Sequence, residues 1–209
     1  MKTLITADSL VWLSKQKQLS NVITGIPDLD ETPFTLEEYL DFFKKIVALI
    51  FKKLDKNGYA IFVQTDRKYN KTWIDKSAII TEISQKFGLK IIWHKIVLNR
   101  LPGKIDLYRP TYSHMLCYSY SNTTGAAFCD VIPISKRLYK NGTPLLPAKL
   151  AVEFIKKYNP ECIVDPFIGR GTIAAIAVHY GLDCIGIDID PDQIRYSQDI
   201  IITDELIQL

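Results

Sequence analysis

The chain has 209 residues, 47% of them hydrophobic and 23% charged, with a net charge of +3. That is enough apolar material for one full core and too little chain for a second sizeable domain. The near balance of charge permits a nucleic-acid partner without demanding one, and no apolar run approaches the length needed to cross a bilayer.

Thr3 to Ala7 reads as a short strand ending at Asp8, and Ser9 to Lys17 as a short helix with Leu10, Val11 and Leu13 turned inward. Asn21 to Ile26 is a second strand, closed by Pro27-Asp28. Thr35-Leu36-Glu37-Glu38 has the form of a capping box. It opens the clearest helix of the chain: Leu36, Tyr39, Leu40, Phe43, Ile46, Val47, Ile50 and Leu54 recur at helical spacing until Asn57-Gly58 ends it. Tyr59 to Val63 is a strand, Ile74 to Phe87 a helix stopped by Gly88, and Leu89 to Leu98 and Tyr112 to Tyr120 are strand-like. Pro147 to Tyr158 is a helix. Two apolar strands follow late in the chain, Cys162 to Val164 and Cys184 to Ile187, with a helix between them that Gly181 terminates and another from Pro191. Continuous apolar runs such as Ile61-Phe62-Val63 mark strands of a parallel sheet covered on both faces. There is no internal repeat and no low-complexity segment.

The first of the late strands runs into Asp165-Pro166-Phe167-Ile168-Gly169-Arg170-Gly171-Thr172, and the second ends in acid at Asp188. A glycine turn between strand and helix, with an acid at the next strand end about 20 residues on, is how an α/β sheet holds a nucleoside. The glycines admit the ligand to the backbone and the acid accepts from ribose hydroxyls. The third glycine of a dinucleotide site is replaced by Ala174, and an acid opens the turn, which suits a cationic amine better than a pyrophosphate. A nucleoside that carries an amino acid, S-adenosylmethionine, fits both features.

Asp165 to Thr172 resembles the cofactor motif of S-adenosylmethionine-dependent amino-methyltransferases that modify exocyclic nitrogens of DNA or RNA bases. Those enzymes commonly carry Ser where this chain has Arg170. The late position of the motif resembles the circularly permuted members, in which the catalytic strand comes first. Ala7-Asp8-Ser9-Leu10 and Thr143-Pro144-Leu145-Leu146-Pro147 with Leu150 resemble segments of that group, the second loosely. The resemblance implies a single α/β domain over residues 1–209, doubly wound on a mostly parallel, seven-stranded Rossmann-like sheet. Residues 1–142 would form the catalytic and substrate half and 143–209 the cofactor half. It implies that Asp165 holds the methionine amine, that the backbone around Phe167, Gly169, Gly171 and Thr172 runs along the cofactor, and that Asp188 holds the ribose. Asp8 either brackets the adenine amine or caps its short helix.

The acceptor should lie beyond the Asn21–Ile26 strand, where strand order reverses. Family members carry Asp, Asn or Ser there, then Pro-Pro and an aromatic. Here Gly25 stands at the polar position, Ile26 at the first Pro and Asp28 at the aromatic, so only Pro27 matches. A carbonyl near Gly25 can still accept one amine hydrogen, and Asp28 either accepts a second, acts as a base, or is a turn residue. Stacking on a flipped base then falls to Tyr69, Trp73, Tyr108 or Tyr112. Basic and aromatic residues alternate in 67–73 (Arg67, Tyr69, Trp73), in 100–112 (Arg100, Lys104, Arg109, Tyr112) and in 136–140. Each is an ordinary solvated loop or a phosphate and base contact, and three together favour nucleic acid.

Cys117, Cys129, Cys162 and Cys184 are widely spaced, and His94, His114 and His179 do not cluster with them. Buried free thiols in a reducing compartment are expected, and no metal site. Met1-Lys2-Thr3 does not open a secretory leader, so an intracellular protein, cytoplasmic or nuclear, is expected. The altered Gly25–Asp28 segment keeps a second class open, a catalytically silent subunit that binds nucleic acid or an active protein partner.

Overall fold

Alternation along the central strands decides the architecture. Val22 packs on one side of the sheet and Ile23 on the other, and one strand away Ala60 and Phe62 oppose Ile61. Strands that are apolar on both faces need cover on both. The computed structural model describes residues 1–121 and 128–207 and supplies that cover as helices on either side of one large sheet.

In chain order the strands are Lys2–Thr6 (β1), Asn21–Thr24 (β2), Ala60–Gln64 (β3), Arg67–Tyr69 (β4), Thr72–Ile74 (β5), Lys90–Leu98 (β6), Tyr112–Ser119 (β7), Val131–Ile132 (β8), Ile163–Asp165 (β9) and Cys184–Asp188 (β10). The helices are Ser9–Lys15 (α1), Leu36–Lys53 (α2), Lys76–Lys86 (α3), Leu145–Tyr158 (α4), Thr172–His179 (α5), Pro191–Asp199 (α6) and Asp204–Ile207 (α7). Among the described residues the main sheet has eight strands in the order β1-β10-β9-β2-β3-β7-β6-β8, and β4-β5 is a separate pair. Neighbours are parallel except at β3–β7 and β6–β7. The mixed α/β, mostly parallel sheet is the one the sequence predicts.

One face is covered by α4 and α5, whose Ala151, Val152, Ile155, Ile173 and Ala177 pack with Ile23, Ile61 and Ile163. The other is covered by α1, α2 and α3, whose Leu13, Tyr39, Phe43, Ile46, Ile50 and Ile80 pack with Val22, Phe62 and Val164. The α2 face follows from its spacing, and its start is the expected capping box: the Glu38 carboxylate accepts from Thr35 N at 2.8 Å and Thr35 Oγ1 from Glu38 N at 3.4 Å. No helix of the described residues is long and apolar enough to cross a membrane.

From β9 the chain passes through α5 to β10 on one side, whereas from β2 it passes through α2 to β3 on the other. Strand order therefore reverses between β9 and β2, where their carboxyl ends part and leave room for a ligand. The third strand of the sheet, β9, is next to last in the chain.

Several expectations are corrected. The sheet has an eighth strand: Val131–Ile132 pairs with β6, held by Ile96 N donating to Asp130 O at 2.8 Å, and a two-residue run before Pro133 is too short to show periodicity. The basic loop at 67–73 is a hairpin, because Asn70 and Lys71 both take positive φ (46° and 63°), the geometry of a two-residue turn matched to strand twist. Ile74 belongs to that hairpin, so α3 starts at Lys76 behind its cap, Asp75. The second strand ends at Thr24, two residues early. Cys129 is exposed, while Cys117 and Cys184 are buried as expected.

Gly186 sits beside Asp165 in the β10–β9 register, and a Cβ there would lie 1.8 Å from Ile168 Cδ1 and 2.9 Å from its Cγ1. Ile168 is itself buried. Gly186→Ala should lower stability in urea unfolding by about 1–3 kcal/mol through overpacking, and an Ile168→Val background, which removes the nearest atom, should return part of that loss.

Candidate cofactor and acceptor site

At the carboxyl ends of β9, β10 and β2 lies a cleft of about 1070 Å³. Its walls include Asp8, Gly25, Pro27, Asp28, Arg100, Asp165, Phe167, Gly169, Thr172 and Asp188, all expected at the site from the sequence. Gly171 is behind the wall as the helix cap: its φ is +87°, and a Cβ would come within 2.7 Å of Ser197 Cβ. Gly169 also has positive φ, +51°. Both positions therefore favour glycine on conformational grounds.

Asp165 is 1% exposed. Its Oδ1 accepts from Thr24 Oγ1 at 2.8 Å and Phe167 N at 3.2 Å, and no ion pair reaches it among the described residues. Burial pushes its pKa from 3.8 up to about 7, against the two hydrogen bonds and with help from Asp188. A carboxyl so placed is incomplete until a cation arrives. Asp188 is half-buried and raised as well, chiefly by desolvation. Its Oδ2 accepts from Gly169 N and its Oδ1 from Asp190 N, both at 2.9 Å, so the acid at the end of β10 pins the glycine turn. Asp8 caps α1, one of the two roles left open for it, accepting from Val11 N at 2.9 Å, and it borders the cleft. Ser9 Oγ donates to Pro166 O and ties α1 to the motif.

The acceptor end differs from expectation. Asp28 is buried, caps the 3-10 turn Leu29–Glu31, and faces three cations: Lys76 Nζ at 2.9 Å, with Arg67 and Arg109 each at 3.4 Å. Asp28 is thus an N-cap and an ion-pair partner, which fits the turn-residue alternative its sequence left open. Arg67 is drawn into the same network. Its side chain is only 14% exposed and pairs with Asp28 and Asp30, so it is not free to hold a phosphate. Trp73 donates from Nε1 to Asp66 at 3.1 Å under the Lys68 ammonium, Tyr69 is half-buried against α2's side of the core, and Tyr112 packs edge-on to His114. None of the three borders the cleft: Tyr69 and Trp73 belong to the β4–β5 hairpin and Tyr112 to β7, and Tyr108 is outside it too.

Gly25 has a close neighbour: a Cβ there would sit 3.0 Å from Val63 O. Beyond it the Gln64 amide clamps Ile26, accepting from its N–H at 3.0 Å and donating to its C=O at 3.1 Å, and Pro27 O accepts from Tyr39 OH at 3.0 Å. The Ile26 and Pro27 carbonyls are thus committed within the protein.

The sequence reading missed Gln64, Lys76, Phe34 and Tyr139. Lys76 was legible as a charge at helical spacing with the inward Ile80 and Ile83. Phe34 borders the cleft and continues through Phe42 to Phe167, with ring centroids 5.4 Å and 6.0 Å apart. Tyr139 turns inward from the third basic segment, and its hydroxyl accepts from Arg170 N at 3.1 Å. The Arg170 guanidinium stacks on Tyr139 at 5.4 Å and Tyr196 at 4.5 Å. Asp66 lies outside the cleft lining, accepting from Lys76 N at 2.9 Å and facing His114 Nε2 at 3.1 Å, with His94 2.8 Å beyond.

Because Asp165 has a folded pKa near 7 against an ordinary 3.8, its ionisation opposes folding. The cost is absent below about pH 4, grows up to about pH 7 and is full above it. Asp165→Asn keeps an oxygen for Thr24 and Phe167, so it should stabilise the ligand-free protein by about 2–4 kcal/mol at pH 8 and by almost nothing at pH 4. Thermal melts at both pH values check this. Lys76→Met removes one of three cations and leaves Asp28 with Arg67 and Arg109, so it should cost about 1–3 kcal/mol in urea unfolding, the loss of one buried charged hydrogen bond.

No protein-family model matches the sequence, and no curated protein matches it. Solved structures do match. A putative DNA modification methylase from Thermus thermophilus aligns with a TM-score of 0.74 at 17% identity, over 95% of this chain and 93% of that one. Its complex with S-adenosyl-L-methionine aligns with a TM-score of 0.72 at 17% identity, over 95% and 94%. The cytosine-N4-specific PvuII DNA methyltransferase aligns with a TM-score of 0.75 at 18% identity, over 99% and 89%. The chain therefore has the Rossmann-like fold shared by these DNA methyltransferases, as the motif at Asp165 led one to expect.

Proposed function

We propose that this chain is an S-adenosylmethionine-dependent methyltransferase acting on an exocyclic amino group of a nucleic-acid base, with DNA as the polymer. The observation that carries the reading is Asp165, a buried carboxyl without a cation at the mouth of a glycine turn. The likeness to DNA methylases, one of them bound to this cofactor, supports the choice of polymer and cofactor. Residues 1–142 serve as the acceptor half and 143–209 as the cofactor half of one permuted domain, working inside the cell where DNA is.

Asp165 takes the amine of the cofactor's amino acid. Arg170, whose guanidinium has no ion pair among the described residues, faces the carboxylate of the same group. Gly169 and Gly171 let the backbone approach, Asp188 takes the ribose hydroxyls, and the Phe34–Phe42–Phe167 run offers an apolar wall for the adenine. When bound, the cofactor supplies an electrophilic methyl group on a sulfonium. The chain's own part is positioning. With the Ile26 and Pro27 carbonyls committed, the Gly25 carbonyl accepts a hydrogen of the target amine and turns its lone pair toward the methyl. The Gly25–Asp28 segment acts as a rigid rim, held by Gln64 and Lys76, rather than as a source of a base.

A second reading is favoured by one observation, the tie-up of Asp28 by three cations next to a residue with no side chain. In it the chain keeps the cofactor and serves as a silent partner of an active subunit. Methyl-labelled S-adenosylmethionine with genomic DNA and, separately, total RNA distinguishes them. Label on DNA that Asp165→Ala abolishes is the expected result; cofactor binding with no label on either polymer sinks the enzyme reading.

Cofactor affinity should also report Asp165 directly. Below about pH 7 the carboxyl must lose a proton to accept the amine, so the dissociation constant should rise roughly tenfold for each pH unit between 7 and 5.5. Calorimetry of Asp165→Asn should show weak binding with that slope gone.

A further inference from the structure

The connection between β6 and β7, residues 99–111, has its polarity inside out. Leu101 is 63% exposed, Ile105 83%, Leu107 77% and Tyr108 69%. Among them Asp106 and Arg109 are partly buried and tied to the framework, while Arg100 and Lys104 stay exposed. The Asp106 carboxylate accepts from Tyr108 N at 2.9 Å and Arg109 N at 3.0 Å and pairs with Arg100 at 2.7 Å. Arg109 in turn pairs with Asp30 at 2.8 Å, and Lys68 of the hairpin donates from Nζ to Asp106 O at 2.7 Å and from N to Tyr108 O at 3.0 Å. The loop is thus built to hold apolar side chains out in water, and an ordered apolar patch of this kind marks an interaction surface.

Its place identifies the partner. Asn99, Arg100, Asp106, Arg109 and Pro110 form part of the wall of the cleft, so the apolar tips stand at its mouth, with Lys104 exposed among them and Lys140 on the cleft wall. We propose that Leu101, Ile105, Leu107 and Tyr108 are a wedge for duplex DNA, entering the base stack to fill the gap that opens when the target base swings into the cleft. The inference rests on the function proposed above. A base turned out of a duplex leaves its neighbours unstacked, and apolar side chains inserted at that step offset the loss, while Lys104 and Lys140 beside them meet phosphates.

The test needs no methyl transfer and no knowledge of the target sequence. Two fluorescein-labelled DNA duplexes, alike except for one abasic site, are titrated with the full chain in the presence of S-adenosylhomocysteine and followed by anisotropy. The wild type should prefer the abasic duplex by about tenfold, because the gap is already open. Ile105→Ser combined with Leu107→Ser should bind both duplexes alike, at the affinity of the wild type for the intact one. Both side chains are exposed, so cofactor binding and the thermal melt should be unchanged. A wild type without preference, a variant that keeps it, or tighter binding to the same sequence as duplex RNA each overturn the proposal. Labelling of genomic DNA by a wild type that shows no preference would sink the wedge alone; neither binding nor labelling of DNA would sink the proposed function beneath it.

Discussion

The burial of the Asp165 carboxyl at the floor of the cleft, with no cation beside it among the described residues, is the constraint on which the site depends. The carboxyl is fixed by Thr24 from the neighbouring strand and by Phe167 from its own turn, so it ties β9 to β2 at the point where strand order reverses. The same acid that joins the two sides of the sheet is the one whose charge the fold does not neutralise. Neutral hydrogen bonds hold its position while leaving its charge to a ligand. The cost is tolerated because everything behind it is dense: Gly186 lies flush against Ile168, and Gly171 against Ser197. These glycines keep the turn tight enough for Asp188 to reach Gly169 N from the next strand.

The acceptor side is organised by the opposite electrostatic choice. Asp28 is also buried, but Lys76, Arg67 and Arg109 surround it, and Tyr39 closes the set from α2, its hydroxyl held far above its ordinary pKa by burial and by Asp28. One carboxylate is left waiting for a cation and the other is saturated with them. A saturated network stiffens a segment without offering it for proton transfer. That stiffness suits the rim proposed at Gly25–Asp28, since a backbone carbonyl would orient an amine only if the backbone cannot move.

The strand, glycine turn and helix at Asp165 were legible because their pattern is local. Asp165, Gly169, Gly171 and Thr172 lie within eight residues, and Asp188 follows at the fixed distance that one helix and one strand impose. The long helix from Leu36 was legible from its cap and spacing for the same reason. The acceptor half was not, because its partners come from far along the chain. Asp28 meets Lys76 and Arg109, and Ile26 meets Gln64, through tertiary packing that no window of sequence contains. The basic and aromatic run from Arg67 to Trp73 misled in a specific way: composition suggested a nucleic-acid loop, while Asn70-Lys71 made a hairpin that turned those side chains toward Asp66 and Asp28.

That hairpin nevertheless shapes the mouth of the cleft. Lys68 reaches across from it to hold the 99–111 loop at two points, and Arg109 returns from the loop to Asp30 beside the Gly25–Asp28 rim. The charged residues that composition would have assigned to phosphate are spent on fixing this framework, which frees the apolar residues to face outward. The outward face of the loop is therefore the reverse of what charge counting suggests. A net charge of only +3 is compatible with the proposed wedge, because its contact would be apolar and shape-driven rather than a neutralisation of many phosphates.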